Sequence, residues 1–344
     1  MSLTNRQISE LLAIRAEETE GERQRQRAYQ RASRAALMWP EEAAALVERG
    51  APLTDLYGIG DRLAGRINGW LTDPPEVPEP PPTRRGFLSL AEARAAIAAG
   101  PEWRSIKGDL QMHTVYSDGK ATVFEMASKG IELGYDFIAI TDHSKGLKIA
   151  GGVDEKEFAR QAQEIDTVNA EFAKENLDFR ILAAMEMNLD PEGRGDMEEE
   201  VFGLLDLVLG SFHSQLQTKE DQTDRYLGAL RNPDVDVIGH PRGRKFNRRL
   251  GLQAEWDVVL KEAVETNTAM EINSYPDRQD FNVEILKLAS KENLFSIGTD
   301  AHSTGEMDLI EFALGAAALA GLSRDQIINF WPPEKIINWT GSSG

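Results

Sequence analysis

A chain of 344 residues is long enough for one large domain of about 240 residues with a smaller one beside it. It carries 38 basic and 57 acidic side chains, a net charge of −19, so its average surface repels nucleic acid and any DNA contact must rest on local basic patches. The absence of cysteine excludes disulfides, cysteine-ligated zinc fingers and cysteine nucleophiles, no apolar run approaches the ~18 residues of a membrane span, and the polar first 20 residues point to a soluble cytoplasmic protein without a membrane partner.

Residues 1–72 are predicted to be all-helical. Thr4-Asn5-Arg6-Gln7 is a capping box that starts a helix with Leu11, Leu12 and Ile14 on its apolar side. A second helix, 22–37, places Arg23, Arg27, Arg31 and Arg34 at three- and four-residue steps on one face, which a solvated surface would explain as well as a phosphate contact. Pro40 is expected to open a third helix ending at Arg49. In Leu56-Tyr57-Gly58-Ile59-Gly60-Asp61-Arg62, Gly58 and Gly60 permit a tight turn, and the free N–H groups of the next helix can take a DNA phosphate beside Arg62. With Leu63, Ala64 and Ile67 this stretch resembles a helix-hairpin-helix motif, and the whole segment resembles the amino-terminal domain of bacterial family X DNA polymerases. A purely structural hairpin has the same spacing. Residues 1–70 hold ten arginines and ten acids, so the negative charge lies downstream. The first lysine is Lys107, which excludes a lysine Schiff-base lyase from this segment.

Residues 73–106 are expected to be a Pro-rich extended linker (73–82) followed by a short helix (88–99). From 107 to 344, seven short apolar strands alternate with helices: strands 109–113, 137–141, 179–187, 205–211, 235–240, 269–273 and 294–299, with helices at 122–133, 155–174, 221–231, 255–266 and 283–292. Two helices close the chain, the last expected to start at the capping box Ser323-Arg324-Asp325-Gln326. This alternation predicts an α/β fold, a distorted seven-stranded β/α (TIM-like) barrel behind a small helical domain.

The five histidines, His113, His143, His213, His240 and His302, each end or directly follow a predicted strand, and Asp118, Asp142 and Asp300 stand close to three of them. In a β/α barrel these are the strand ends where functional groups gather, and imidazole with carboxylate suits Zn, Mn or Fe rather than Mg. Lys145 follows His143, and Arg242, Arg244, Lys245, Arg248 and Arg249 follow His240. Of these, Lys145, Arg242 and Arg244 are expected to meet substrate phosphate. Tyr275, Asp277 and Arg278 leave the sixth strand in the same way, a weaker signal.

The segments Gly-Asp-Leu-Gln-Met-His, Thr-Asp-His-Ser, that of Glu186, Gly-Ser-Phe-His, Gly-His-Pro and Thr-Asp-Ala-His stand in the order of the PHP superfamily, the polymerase and histidinol phosphatase domains. The resemblance runs over about 107–339 and is nearest to the PHP domain of family X DNA polymerases, with no polymerase palm between the two segments. It implies two or three divalent transition metals: a first held by His113, a bridging Glu186 and Asp300, a second by Glu186, His213 and His240, and a third by Asp118, His143 and His302. Asp142 would orient His143 or act from behind it. The family opens on His-x-His where this chain has Gln111-x-His113, so the first metal is expected to be weaker, shifted or absent. Grouped metals of this kind favour phosphate ester hydrolysis. The leading expectation is a phosphoesterase acting on DNA as a 3′-5′ exonuclease or 3′-phosphatase. The alternatives are a small-molecule phosphatase of the histidinol-phosphate type and a DNA-binding protein with a vestigial barrel.

Overall fold

The computed structural model describes residues 2–340. The amino-terminal part is helical: α1 (Asn5–Glu18), α2 (Arg23–Met38), α3 (Ala43–Glu48) and α4 (Asp61–Thr72). Thr4 and Gln7 form the expected capping box on α1. Pro40 does not open α3. The Asn5 side chain reaches across instead, accepting from Ala43 N at 2.8 Å and donating to Glu41 O, so α3 starts three residues later under a cap borrowed from α1. Ile8, Leu12, Tyr29, Ala36, Trp39, Leu46 and Ile67 form the core of this region. Gly58 has φ +79°, a conformation that favours glycine, and lets the chain turn tightly from Leu56 to the start of α4.

After α5 (Leu90–Ala99), seven parallel strands stand side by side in chain order: β1 (Gly108–Asp109), β2 (Phe137–Ile140), β3 (Arg180–Leu189), β4 (Leu207–Phe212), β5 (Val237–Gly239), β6 (Ala269–Asn273) and β7 (Phe295–Gly298). Each adjacent pair is parallel, as consecutive β/α units require. The intervening helices are α6 (Val123–Glu132), α7 (Glu155–Lys174), α8 (Thr223–Leu230), α9 (Trp256–Glu265) and the short α10 (Val283–Leu286), followed by α11 (Glu311–Ala320) and α12 (Pro333–Thr340). β1 is shorter than the 109–113 expected. Beyond Asp109 the chain keeps one backbone bond to the residue after β2, Thr141 N to Met112 O, and otherwise bonds towards the last strand, with Leu110 N donating to Ile297 O, Asp300 N to Gln111 O and His113 N to Ala301 O. These bonds nearly close the barrel and swing Gln111 and His113 to its carboxyl end.

Two other elements differ from expectation. The helix predicted over 283–292 stops at Leu286, because Asn293 Oδ1 accepts from Ser290 N and Ser290 Oγ and pins that stretch as turns. The Ser323–Gln326 capping box caps only a 3₁₀ turn. The last helix starts with Pro333 at its first position.

The helical region rests against the barrel. Buried Arg84 makes a two-pronged pair with Glu10 (2.8 Å each), bonds Glu17 at 2.6 Å, and reaches Asn247 on the loop after β5 at 2.7 Å. Leu37 of α2, Phe87 and Phe246 form a small apolar cluster at the same junction. Among the described residues no helix is long and apolar enough to cross a membrane.

Candidate metal centre

Glu186 near the end of β3 is the middle of the site. Its Oε1 lies 2.7 Å from His240 Nε2 and 3.1 Å from His213 Nε2, and its Oε2 lies 3.3 Å from His143 Nδ1 and 3.4 Å from His113 Nε2. Four imidazoles thus converge on one fully buried carboxylate. Asp300 Oδ1 lies 3.2 Å from His113 Nε2, and Asp118 Oδ1 lies 3.3 Å from His302 Nε2 and 3.6 Å from His143 Nε2. Every one of the five histidines and the three carboxylates Asp118, Glu186 and Asp300 is within this cluster.

The donor atoms fall into three groups, each tight enough to share an ion: His113, Glu186 and Asp300; His143, Glu186 and His213; and His113, Asp118, His143 and His302. His143 faces both Glu186 and Asp118, so it joins the second group as well as the third. Buried His113 Nδ1 and Nε2, His143 Nδ1, His213 Nε2, His240 Nδ1 and Glu186 Oε2 have no hydrogen-bond partner within the protein. Buried polar atoms left this way are costly, and metal ions would satisfy most of them, so the residues fit a multi-metal centre.

The electrostatics agree. Burial would raise the Glu186 carboxyl, but the His143 and His240 rings beside it and bonds from His213 and His240 bring it well below the usual carboxylate range. Burial would likewise raise Asp300, but Arg278 and His113 hold it down. Burial drives His143 down to about 3, leaving a neutral ring able to ligate. Two groups carry their backbones at positive φ, His240 at +26° and Asp300 at +56°, strain of the sort that collects at functional sites.

Gln111 is fully buried, and its Oε1 accepts from Asn273 Nδ2 at 3.1 Å, a donor that also lies 3.4 Å from Asp300 Oδ2. Asp142 does not orient His143. Its Oδ1 accepts from Thr114 N (2.8 Å) and Ser117 N (3.2 Å), and its Oδ2 from Thr114 Oγ1 (2.6 Å) and Gln161 Nε2 (2.5 Å), so it holds the turn that carries Asp118. Arg242 and Arg244 are buried and committed to backbone carbonyls: Arg242 to Leu250 O and Leu252 O, Arg244 to Arg278 O, Arg85 O and Gly86 O. Lys145 pairs with Glu155 at 2.5 Å. Lys145, Arg242 and Arg244 were expected at the phosphate; their side chains are spent on structure instead. The guanidinium that does face the cluster is Arg278, whose Nε lies 3.1 Å from Asp300 Oδ2.

Residues that the motifs did not single out support the centre. Glu271 in β6 accepts from His240 N at 2.5 Å and so holds the strained His240 backbone. Asn188 Oδ1 lies 3.2 Å from His213 Nδ1, which turns Nε2 of that ring towards Glu186. A charged residue in the middle of the fully buried Ala-Met-Glu-Ile-Asn strand was the available sign of Glu271. In the helical region Gly58 and Gly60 lie at the turn before α4 and Arg62 in its first turn, far along the chain from these ligands, with Arg62 exposed.

Residues 109–275 match the PHP domain family. The chain is 40% identical over 292 residues to the "DNA polymerase/3'-5' exonuclease PolX" of Bacillus subtilis, covering 82% of this chain and 50% of that protein. This chain thus spans about half the length of that relative. It is 30% identical over 203 residues to a "Probable phosphatase" of Caldicellulosiruptor saccharolyticus, covering 55% of this chain and 77% of the other. Among solved structures, the histidinol phosphate phosphatase of Lactococcus lactis superposes with a TM-score of 0.46 at 21% identity, over 63% of this chain and 95% of that one.

Proposed function

The chain belongs to the PHP-domain family, and from that premise we infer that it is a metal-dependent phosphoesterase that removes a terminal phosphoryl group from a phosphate monoester. The observation that carries this reading is Glu186, a single buried carboxylate within 3.4 Å of four imidazole nitrogens, with Arg278 3.1 Å from Asp300 beside it. His113, Glu186 and Asp300 would hold one ion; Glu186, His213 and His240, with His143 in reach, a second; Asp118, His143 and His302 a third. Zn, Mn or Fe suits these donors, and bound there would supply Lewis-acid polarisation of the phosphoryl group and acidify water. Arg278 then binds a phosphoryl oxygen and opposes charge that builds on it. Glu271 and Asn188 keep His240 and His213 in place. The centre is recessed: Glu186, His113 and His240 are buried, while Asp118 and His302 border solvent. Such a site admits the end of a substrate more readily than the middle of a polymer.

The testing experiment is a panel of phosphate monoesters beside end-labelled oligonucleotides, assayed with and without chelator. Chelator-sensitive release of phosphate supports the reading, and no turnover of any ester with metal-replete protein contradicts it.

Hydrolysis at a nucleic-acid 3′ end is the second reading. One observation favours it: the match to the Bacillus relative takes in 82% of this chain, more than the barrel alone supplies. Arg23, Arg27, Arg31 and Arg34 are exposed on α2, and none forms an ion pair among the described residues. On this reading the turn at Gly58 and Gly60, with Arg62, meets a DNA phosphate through free N–H groups of α4.

A further inference from the structure

The loops that follow His213 and His240 carry more positive charge than the cluster uses. Between them lies a cavity of about 280 Å³ whose lining includes Leu216, Lys219, Arg248, Arg249 and Leu250. Lys219 and Arg248 are exposed and Arg249 is half-buried. None of the three side chains forms an ion pair within 4 Å among the described residues. Neighbouring cations on the same rim are neutralised: Lys145 by Glu155, Lys245 by Asp277 and Arg194 by Asp190. Glu220, next to Lys219, is held by Thr218 Oγ1 and by Lys219 N, and its carboxylate offsets part of the Lys219 charge. Three unpaired cations around one cavity repel one another, and in a chain of net charge −19 a local surplus of this kind is relieved by a bound anion.

The geometry is built rather than incidental. Arg249 Nε donates to Gly243 O at 2.6 Å, and Lys245 and Arg249 exchange backbone bonds, so 245–249 is a small hairpin that fixes Arg249. Phe246 N donates to Asp277 O and Arg244 Nε to Arg278 O, which ties this hairpin to the segment that carries Arg278. Arg249 lies close enough to Arg278 that, besides burial, the charges of Arg278 and then Arg248 lower its pKa, against a smaller opposing effect of Asp280 and Asp277. Positive charge therefore continues from the metal-ligand cluster through Arg278 and Arg249 to Arg248 and Lys219.

We propose that the cavity between the β4 and β5 loops is a second anion subsite, where Arg248, Arg249 and Lys219 hold a further phosphate of the substrate while its terminal phosphoryl group lies at Glu186. The inference rests on the phosphoesterase reading and adds to it that the substrate carries at least two phosphates. A second phosphate on a small molecule and the next phosphodiester of an oligonucleotide present the same chemistry here.

The test compares wild type with the double variant Lys219→Glu, Arg248→Glu, whose exposed side chains make no hydrogen bond to the protein. Two substrate pairs differ by added phosphate: a hexose 6-phosphate against the 1,6-bisphosphate, and thymidine 3′-phosphate against a 3′-phosphorylated trithymidylate. In the wild type kcat/KM favours the member with more phosphate, and in the variant that ratio falls by about tenfold or more, chiefly through KM. A fall confined to the hexose pair identifies a small molecule as the source, and one confined to the thymidine pair identifies an oligonucleotide. Ratios unchanged in both pairs overturn the subsite. Should wild type hydrolyse none of the four, the phosphoesterase reading fails, and titration with inorganic pyrophosphate still decides the subsite: weaker binding by the variant supports it and equal binding overturns it.

Discussion

The guanidinium of Arg278 lies 3.1 Å from the Asp300 carboxylate, which in turn lies 3.2 Å from His113. Asp300 and Glu186 hold Arg278 charged although burial opposes it. A cation in this position is well placed for a phosphoryl oxygen and is not itself a metal ligand. Replacing Arg278 with Ala is expected to lower kcat/KM for a phosphate monoester by about 10²–10³-fold, the usual effect of losing one charge-stabilising donor. Metal content by elemental analysis is expected to persist, which separates a lost phosphate contact from a collapsed centre.

Gln111 stands where the family pattern has histidine, and its amide oxygen is occupied by Asn273. Gln111→His is expected to bring an imidazole next to His113 and Asp300 and to tighten the weakest metal. Titration of metal-free protein, followed by calorimetry, checks this. An unchanged number and affinity of sites would place the weak point elsewhere.

The turn before α4 can be tested without removing the helical region, whose deletion would leave buried Arg84 without Glu10 and Glu17 and strip Leu37 from the junction. Gly58 has φ +79°, so a side chain there is strained, whereas a Cβ on Gly60 meets no atom within 4 Å. Gly60→Val therefore keeps the fold and blocks close approach of a phosphate to the α4 N–H groups. If those groups bind DNA, affinity for an oligonucleotide drops and the log–log salt slope falls by about 0.7–0.9 per lost contact. Equal binding by the variant would leave the hairpin a structural element.

Asp236, at the other end of the barrel, is pushed up to about 7, mainly by burial, although it accepts from Val208 N at 2.9 Å. Its folded pKa lies above its unfolded value, so the stability it contributes is complete below pH ~4 and is lost as pH rises towards 7. Asp236→Asn is expected to match wild type near pH 4 and to melt at a higher temperature at pH 8. Melting curves across that range check the sign. A variant that is less stable at pH 8 would show that the ionised carboxylate is the better partner for Val208.

Much of the site was legible because its signal is local. Each histidine ends a short apolar run, and chain order alone puts such ends on one rim of a parallel barrel, so four meet at Glu186 and the fifth, His302, joins them through Asp118. Side chains whose role depends on loop paths were not legible. Arg242 and Arg244 follow a ligand as closely as any residue in the chain, yet the loop turns them back onto carbonyls of Leu250, Arg278, Arg85 and Gly86. Arg278, five residues beyond β6, is delivered to Asp300 by a return of the chain that puts Asp280 opposite Asn273. Asp142 has the residue type of a ligand and is consumed by the turn at Thr114 and Ser117. The β1 extension and the early end at Leu286 depend on bonds between residues distant in sequence or on local side-chain competition, neither of which a hydrophobic pattern encodes.

The central claim is that Glu186 organises a metal centre that hydrolyses phosphate esters, and Glu186→Gln tests it most directly. The amide keeps the size of the side chain and removes the charge that four histidines surround. Elemental analysis of wild type purified without chelator is predicted to find two to three transition-metal ions per chain, with phosphatase activity lost to chelator and restored by Zn, Mn or Fe. The variant is predicted to lose at least the two ions that Glu186 would hold, together with nearly all activity, while its circular dichroism remains that of a folded barrel. A wild type that binds no metal on titration, or a variant that retains wild-type metal content and rate, would contradict the account.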